Sequence, residues 1–347
     1  MKACVLHGIG DLRYEEVVTP SAKPGHVLVK IRACGVCGSD IQRVWEKGTY
    51  SFPLIPGHEF AGEITGVAED ENQHLLGKKA AVFPLLPCGH CDACRIGEYA
   101  QCTGYNYYGS RCDGGFAEYI NVPVWNLMII PDALSYEEAA MAEPSAVSLH
   151  ALRQAGVVVG DNVVVFGAGP IGLMLASWAK LWGADKVILV DIDKDKISFA
   201  RKVGFEPIID SREEDVIDAV MALTNGRGAD VAVEGTGVSS VLEQCLKCTR
   251  MFGKIVAMGN PAREMTLSQH GYWELLRKQL KILGTWNSSY NEIPKNDWEM
   301  SIRYMSQGKL NVRPFITHRY SLHDCPDALV MMRDKSELFN KVMIIMD

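Results

Sequence analysis

The chain has 347 residues, 48% of them hydrophobic and 22% charged, and its formal net charge at pH 7 is −7. This length and apolar content are typical of a globular protein with two domains. The acidic balance argues against a nucleic-acid surface, and no apolar run is long enough to predict a membrane span. The first residues, MKACVLHGIGD, lack a signal-peptide core. Eleven cysteines without a secretion signal indicate reduced thiols, metal sites and a cytoplasmic location.

The first 150 residues have the composition of a β domain. Residues 27–32 (VLVKIR) and 80–83 have strand patterns, and glycine and proline punctuate the segments between them. From residue 151 helical and strand patterns alternate, as in a doubly wound parallel sheet. A polar run after Thr285, NSSYNEIPKND, indicates a return to the first domain. We therefore predict an α/β protein with domains at 1–150 and 151–286 and a returning segment at 287–347.

Residues 163–191 (VVVFGAGPIGLMLASWAKLWGADKVILVD) predict a dinucleotide site. An apolar strand pattern leads into G-x-G-x-x-G, then a helix and a second strand that ends at Asp191. The glycines permit a tight turn, approach of a pyrophosphate and close helix packing, and the terminal acid accepts hydrogen bonds from the ribose. Later strand patterns run into Gly235 and Gly259, at ends where parallel sheets bind ligands. The candidate contacts are Gly167, Gly169, Pro170, Ile171, Gly172, Asp191, Thr236 and Gly259.

The acid at the end of the second strand also favours one dinucleotide. Asp191 would repel the 2′-phosphate of NADP, and Ile192 and Asp193 follow it instead of an arginine. Lys194 and Lys196 are the nearest cations in the sequence. The pattern therefore favours NAD.

Four cysteines between residues 86 and 104 predict a metal lobe. Cys88, Cys91, Cys94 and Cys102 have the spacing C-x2-C-x2-C-x7-C. Four thiolates can close a tetrahedral shell, which describes a structural zinc site that supplies folding energy to a loop. An iron–sulfur cluster and four unligated thiols are the alternatives, although Thr103 stands where the bacterial cluster spacing has proline.

A second group of candidate ligands is dispersed along the first domain. Cys37, His58 and Glu143 would supply three ligands and leave a fourth position open, as in catalytic zinc sites. Asp40 and Glu59 are adjacent to two of them, where carboxylates orient a ligating histidine. None of these short motifs is specific by itself.

These segments together resemble the zinc-dependent medium-chain dehydrogenase/reductase family over nearly the whole chain. The resemblance lies in ACGVCGSD, PGHEFAGEI, the four-cysteine lobe, DGGFAEY, AEPSAVSLHA, GAGPIG and VRPFITHRY. It implies a GroES-like β catalytic domain, a Rossmann NAD(P) domain and an active site in the cleft between them. It also implies two zinc ions per chain and a homo-oligomer, either a dimer or a tetramer.

The resemblance assigns roles by position. Cys37, His58 and Glu143 correspond to the catalytic zinc ligands, and a glutamate as third ligand is similar to the polyol dehydrogenase branch. Glu59 corresponds to the alternative acid beside the metal, and Ser39 to the hydroxyl that takes the proton of the substrate. Gln42 stands where some relatives have a histidine that completes the proton relay.

Within the polyol branch, the resemblance implies oxidation of a sugar alcohol phosphate, with galactitol 1-phosphate oxidised to L-tagatose 6-phosphate as the specific expectation. Sorbitol dehydrogenases tend to have Phe-Arg-Tyr where this chain has Trp286-Asn287-Ser288, which marks Trp286 and Asn287 as candidate substrate contacts. A phosphate also requires a cation, and the candidates are Arg43, Lys47 and Arg111, with Arg43 favoured because it is near Cys37.

Two other functions fit parts of the sequence. A sorbitol/L-iditol-type, butanediol or threonine dehydrogenase would have the same zinc and NAD motifs. From another class, Cys34-x-x-Cys37 has the spacing of a redox pair, which would make the chain an NAD-binding thiol sensor. The sensor requires both thiols to be free and reactive, and a substrate panel separates the dehydrogenases.

Overall fold

A computed structural model describes residues 1–291 and 296–347 of the protein. The chain divides into two compact units: the first comprises Met1–Glu143 and Ser289–Asp347, and the second comprises Pro144–Ser288. The predicted polar return segment includes residues 292–295, which lie outside the described residues. In the described part of the chain, no helix is long and apolar enough to span a membrane.

The strands follow the chain in this order: β1 (Lys2–Gly8), β2 (Asp11–Glu16), β3 (His26–Val36), β4 (Glu59–Val67), β5 (Lys79–Val82), β6 (Leu85–Leu86), β7 (Asn106–Tyr107), β8 (Tyr119–Pro123), β9 (Leu127–Ile129), β10 (Asn162–Phe166), β11 (Lys186–Asp191), β12 (Ile208–Asp210), β13 (Ala229–Glu234), β14 (Thr249–Ala257), β15 (Lys281–Gly284), β16 (Ile316–Ser321) and β17 (Lys341–Ile345).

The α-helices are α1 (Gly38–Gln42), α2 (Asp92–Arg95), α3 (Tyr136–Ala140), α4 (Ala142–Ala155), α5 (Pro170–Leu181), α6 (Lys194–Lys202), α7 (Val216–Leu223), α8 (Ser239–Cys248), α9 (Gln269–Arg277), α10 (Asp297–Ser306) and α11 (Cys325–Asp334). A π-helical turn, Arg43–Lys47, follows α1 directly.

The first unit is built on a sheet with the strand order β16-β17-β3-β4-β5-β9, and β8 also pairs with β3. Along β3, Val27, Val29 and Ile31 are fully buried, whereas the residues between them are half-buried. This period of two is typical of a strand with one face in the core. The first unit therefore has the predicted β architecture.

The second unit contains a six-stranded parallel sheet with the order β12-β11-β10-β13-β14-β15. In β10 the apolar run from Val163 to Phe166 is buried, as expected for a parallel strand covered on both faces. Helices connect the successive strands. This arrangement confirms the predicted α/β class with a doubly wound Rossmann-type sheet.

Candidate active site

In the first unit, candidate metal ligands lie where the end of β3 meets the starts of β4 and β17. Cys37 follows β3 and is the N-cap of α1, and Glu59 is the first residue of β4. In the antiparallel pairings, Gly35 lies opposite Glu59 and Val36 lies opposite Val342 near the start of β17. Three segments that are distant in sequence therefore meet at one end of the sheet.

A cysteine, a histidine and a glutamate form a compact group at this end. The ligand atoms of Cys37, His58 and Glu59 lie within 4.8 Å of one another. His58 and Glu59 are buried, and Cys37 is partly exposed. A thiolate, an imidazole and a carboxylate are donors that suit a catalytic zinc with one open position. The chemistry and the spacing of these residues therefore fit the metal.

Glu143 is also buried but does not belong to this compact group of ligand atoms. Tyr107 donates a hydrogen bond to its Oε1 at 3.3 Å. Burial raises the pKa of Glu143 to about 7, although His58 opposes the rise. A cation bound beside the carboxylate would likewise favour its charged form. The sequence interpretation made Glu143 the ligand, whereas the interatomic distances group Glu59 with Cys37 and His58.

A buried ion pair distinguishes the two glutamates. Lys341 Nζ donates to both carboxylate oxygens of Glu59, at 2.8 and 2.6 Å, and lies 3.4 Å from the carbonyl oxygen of Val36. The side chains of Lys341 and Glu59 are only 4% and 2% exposed. Lys341 therefore neutralises Glu59 and competes with a metal for its oxygens. In the described part of the chain Glu143 makes no ion pair within 4.0 Å, although His58 and Lys341 both favour its charged form.

Asp40 contacts His58 at Nδ1, which leaves the other ring nitrogen, Nε2, away from this carboxylate. Oδ1 of Asp40 lies 3.2 Å from Nδ1 of His58 and accepts a hydrogen bond from Nη1 of Arg43 at 2.9 Å. Burial opposes ionisation of Asp40, but His58 and Arg43 outweigh it and lower the pKa of this carboxyl to about 2. A carboxylate that holds Nδ1–H leaves Nε2 for a metal.

Arg43 connects this carboxylate to the predicted proton acceptor. The same Nη1 that contacts Asp40 donates to Ser39 Oγ at 3.0 Å. The side chain is 21% exposed and its charge is balanced by Asp40. This placement favours a positioning role for Arg43 over recognition of a phosphate.

The four-cysteine lobe has the geometry of a closed metal site. The sulfur atoms of Cys88, Cys91, Cys94 and Cys102 lie within 4.8 Å of one another, with Cys91 3.5 Å and Cys88 3.9 Å from Cys94. Tetrahedral zinc with bonds of about 2.3 Å places sulfurs about 3.8 Å apart. Backbone groups of Cys94 and Thr103 lower the pKa of Cys91 to about 6, which favours the thiolate. The lobe therefore fits a structural zinc ion.

The glycine motif of the second unit lies between β10 and α5. Gly167 follows β10 with φ +106°, a conformation that favours glycine. A Cβ on Gly172 would lie 1.8 Å from the carbonyl oxygen of Gly167, so no larger residue fits there. Gly169 is the N-cap and Pro170 the first residue of α5, so the helix begins within the glycine motif, whereas the sequence pattern predicted a start after the motif.

The other predicted cofactor residues lie at the same edge of the sheet. Ile171 is in the first turn of α5, Asp191 ends β11, and Thr236 and Gly259 follow β13 and β14. The carboxyl ends of parallel strands share one edge, where open α/β sheets bind their ligands. The structure thus places all the predicted dinucleotide contacts in one region of the second unit.

Backbone amides fix the carboxylate of Asp191. Its Oδ2 accepts from Ala168 N at 2.6 Å, and its Oδ1 accepts from Ile192 N and Asp193 N at 2.7 and 2.9 Å. A cavity of about 490 Å³ follows this strand end and is lined by Ile192, Asp193, Lys194, Asp195 and Arg212. A carboxylate has about four acceptor positions, so one remains for a ribose hydroxyl.

The remaining predicted substrate contacts are divided between the two units. Lys47 is exposed and its Nζ donates to Gln42 Oε1 at 3.0 Å. Arg111 lies between the rings of Tyr50 and Tyr105. Trp286, 59% exposed, and Asn287, with φ +57°, belong to the second unit and follow β15. Lys47 and Arg111 belong to the first unit, together with the metal ligands.

The sequence interpretation missed two residues of the metal region. Lys341 is the first residue of the apolar strand KVMII. Because a lysine is rarely buried without a partner, its place in this strand indicated that it pairs with an acid. Tyr107 carried no such signal. Its ring lies 5.7 Å from that of His58, and its hydroxyl contacts Glu143.

Comparison with known proteins identifies the class. Residues 23–132 match the alcohol dehydrogenase GroES-like domain, and residues 170–306 match the zinc-binding dehydrogenase family. Sorbitol dehydrogenase from Bacillus subtilis (strain 168) is 33% identical over 334 residues, covering 95% of this chain and 92% of that protein. Galactitol 1-phosphate 5-dehydrogenase from Escherichia coli (strain K12) is 33% identical over 348 residues, covering 99% and 100%.

A solved structure shows the same fold. The crystal structure of galactitol-1-phosphate dehydrogenase from Escherichia coli has a TM-score of 0.92 and 33% identity, and the match covers 100% of both chains. The chain therefore belongs to the zinc-dependent medium-chain dehydrogenases, in their polyol dehydrogenase branch. This membership confirms the predicted family and the prediction that the protein is an alcohol or polyol dehydrogenase.

Proposed function

We propose that the protein oxidises a secondary alcohol of a sugar alcohol phosphate with NAD, and that galactitol 1-phosphate is converted to L-tagatose 6-phosphate. The observation that carries the proposal is the group Cys37, His58 and Glu59 in a polyol dehydrogenase, with Arg43 Nη1 in contact with both Ser39 Oγ and His58 Nδ1. The relative from Escherichia coli named galactitol 1-phosphate 5-dehydrogenase matches 99% of the chain at 33% identity.

Zinc would be held by Cys37, His58 and Glu143, where it would lower the pKa of an alcohol as a Lewis acid. We favour Glu143 over Glu59 because Lys341 contacts both oxygens of Glu59. Glu59 and Lys341 together then form a neutral pair beside the metal ligands. Asp40 keeps the ring of His58 in the orientation that presents Nε2 to the metal.

Ser39 is the proposed acceptor of the substrate's hydroxyl proton. Arg43 donates to one lone pair of Ser39 Oγ, so the second lone pair is available to the alcohol. Arg43 itself cannot accept a proton, because its guanidinium stays charged in proteins. The proton therefore leaves Ser39 by a route other than Arg43, and Arg43 holds the hydroxyl in place. NAD bound at the glycine motif would supply the nicotinamide that accepts a hydride from the substrate carbon.

The cellular setting belongs to the same proposal. None of the eleven cysteines, all of them in the described part of the chain, forms a disulfide, and seven of them lie outside the four-cysteine lobe. Thiolate ligands persist in a reducing compartment, so we place the protein in the cytoplasm. We also propose a homo-oligomer, as the family resemblance implies. The observed burial of Cys34 disfavours the redox-sensor alternative, because burial raises the pKa of this thiol well above its usual value.

A substrate panel tests the proposed reaction. Zinc-loaded protein with NAD is expected to produce NADH from galactitol 1-phosphate, and mass and NMR analysis should identify L-tagatose 6-phosphate. Galactitol, sorbitol, 2,3-butanediol and threonine serve as the competing substrates. Equal kcat/KM with free and phosphorylated polyols would show that the enzyme does not prefer a phosphorylated substrate. Turnover of threonine or butanediol alone would show that the protein is a threonine or butanediol dehydrogenase instead.

Asp191→Ala is expected to lower kcat/KM with NAD and to reduce the preference for NAD over NADP. Losing a hydrogen bond to a charged group costs roughly 1.5–3 kcal/mol, or about 10- to 150-fold in kcat/KM. Steady-state kinetics with both dinucleotides measures the ratio. Thermal unfolding is the control, since Asp191 also satisfies three backbone amides. Equal use of NAD and NADP by the unchanged protein would contradict the assignment.

Arg43→Ala is expected to lower kcat with phosphorylated and free polyols alike. The sequence suggested a selective loss of the phosphorylated substrate, but the contacts with Ser39 and Asp40 give Arg43 a role common to both. The expected loss is about 10- to 150-fold, and Arg43→Lys should restore part of it. A loss confined to galactitol 1-phosphate would return Arg43 to the role of phosphate contact.

A further inference from the structure

Two tyrosine rings contact the guanidinium of Arg111. The centroids of Tyr50 and Tyr105 both lie 4.3 Å from Cζ of Arg111. Nη1 donates to the carbonyl oxygen of Tyr105 at 3.0 Å, and Nη2 donates to the hydroxyl of Tyr50 at 3.2 Å. The backbone of Tyr50 is bonded to the same loop through Ser110. The fork of N–H groups is therefore oriented before any ligand arrives.

Arg111 also lacks a counter-charge. Within residues 1–291 and 296–347, no carboxylate lies within 4.0 Å of its nitrogens, whereas Arg43 is paired with Asp40 at 2.9 Å. Two of the five N–H groups of Arg111 have acceptors, which leaves three for an oxyanion. A planar guanidinium with free N–H groups matches the geometry of a phosphate monoester.

The loop that contains Arg111 leads to the metal region. The backbone N–H of Arg111 donates to the carbonyl oxygen of Tyr107 at 2.9 Å. The rings of Tyr105 and Tyr107 are 6.3 Å apart, and the ring of Tyr107 is 5.7 Å from that of His58. A run of aromatic rings thus connects the guanidinium to a candidate zinc ligand within the first unit.

We infer that Arg111, held between Tyr50 and Tyr105, binds the terminal phosphate of the sugar alcohol substrate; this inference rests on the proposed function. Tyr50 is 74% exposed, so one of its faces remains open beside the phosphate position. The tyrosines fix the guanidinium and the unpaired charge attracts the dianion. A polyol without phosphate makes neither contact, which gives the enzyme its preference.

Calorimetric titration tests this without requiring turnover. Galactitol 1-phosphate and galactitol are titrated into the zinc-loaded protein with NADH, which cannot accept a hydride, as the unchanged chain and as Arg111→Gln. The unchanged protein should bind the phosphate ester more tightly, and Arg111→Gln should weaken that binding by about 10- to 150-fold while leaving galactitol unchanged. Arg333→Gln is the matched control, because Arg333 also stacks on a ring, that of Trp45, at 4.4 Å.

The outcomes separate the inference from the proposed function. If the unchanged protein binds both polyols equally, or if Arg111→Gln retains the preference or weakens both polyols together, the inference is wrong. Tyr50→Phe should weaken the phosphate ester less than Arg111→Gln does, since it removes one hydrogen bond and keeps the ring. Arg111-dependent binding without NADH production would uphold the inference and refute the proposed oxidation.

Discussion

Cys37→Ala is expected to remove one of two zinc ions per chain and to lower alcohol oxidation by at least about 100-fold. The sulfur of Cys37 lies with His58 and Glu59 at the end of β3, separate in sequence from the four-cysteine lobe. A partly exposed cysteine makes few packing contacts, so the fold should persist. Elemental analysis, circular dichroism and NADH production measure the three effects.

Two other cysteines provide controls for this variant. Cys34→Ala, three residues earlier, removes a fully buried thiol that is not in a metal group, so it should keep both zinc ions. Cys94→Ser should lose the zinc of the lobe and mainly lower stability, because it opens a closed shell of four sulfurs. If Cys37→Ala kept both zinc ions and full activity, the catalytic site would be wrongly placed.

Lys341→Met is expected to lower the free energy of unfolding by about 3–5 kcal/mol. Lys341 and Glu59 are both almost fully buried, and Nζ contacts both carboxylate oxygens. Without the lysine, Glu59 would remain as a charge with no water around it. Urea unfolding of the zinc-loaded protein measures the loss.

A double substitution and an exposed pair are the controls for Lys341. Lys341→Met combined with Glu59→Gln removes both charges and should recover much of the stability, as replacing a whole buried pair often does. Lys2→Met breaks an ion pair with Glu16 whose side chains are 44% and 76% exposed, and it should cost less than about 1 kcal/mol. A loss for Lys341→Met as small as that for Lys2→Met would contradict the importance of the buried pair.

Much of the fold could be predicted because its signals are local in the sequence. The run from Val163 to Phe166, the three glycines and the acid at Asp191 each specify a local feature, and the structure places them as a strand, a turn and a strand end. The start of β14 was less visible: the strand begins at Thr249, five residues before the apolar run KIVAM. The first residues of β14 lack the apolar pattern of a buried strand, so the sequence does not reveal that they belong to the strand that pairs with β13.

Contacts between distant segments explain what the sequence could not provide. Lys341 reaches Glu59 only because β17 and β4 both pair with β3. Nothing in the sequence indicated that Arg43 has a partner. The helical turns that follow Cys37 place its guanidinium in contact with Ser39 and Asp40. The contacts of Arg111 likewise depend on Tyr50, which is 61 residues away in the sequence.

An anomalous difference map at the zinc edge tests the central claim, that Cys37, His58 and a glutamate hold the catalytic metal. Crystals of zinc-loaded protein should show two peaks per chain, one among the four sulfurs of the lobe and one in contact with Cys37 Sγ and His58 Nε2. We expect the oxygen at the second peak to come from Glu143, with Glu59 retained by Lys341. A fully loaded crystal with no peak at Cys37 and His58 would contradict the account.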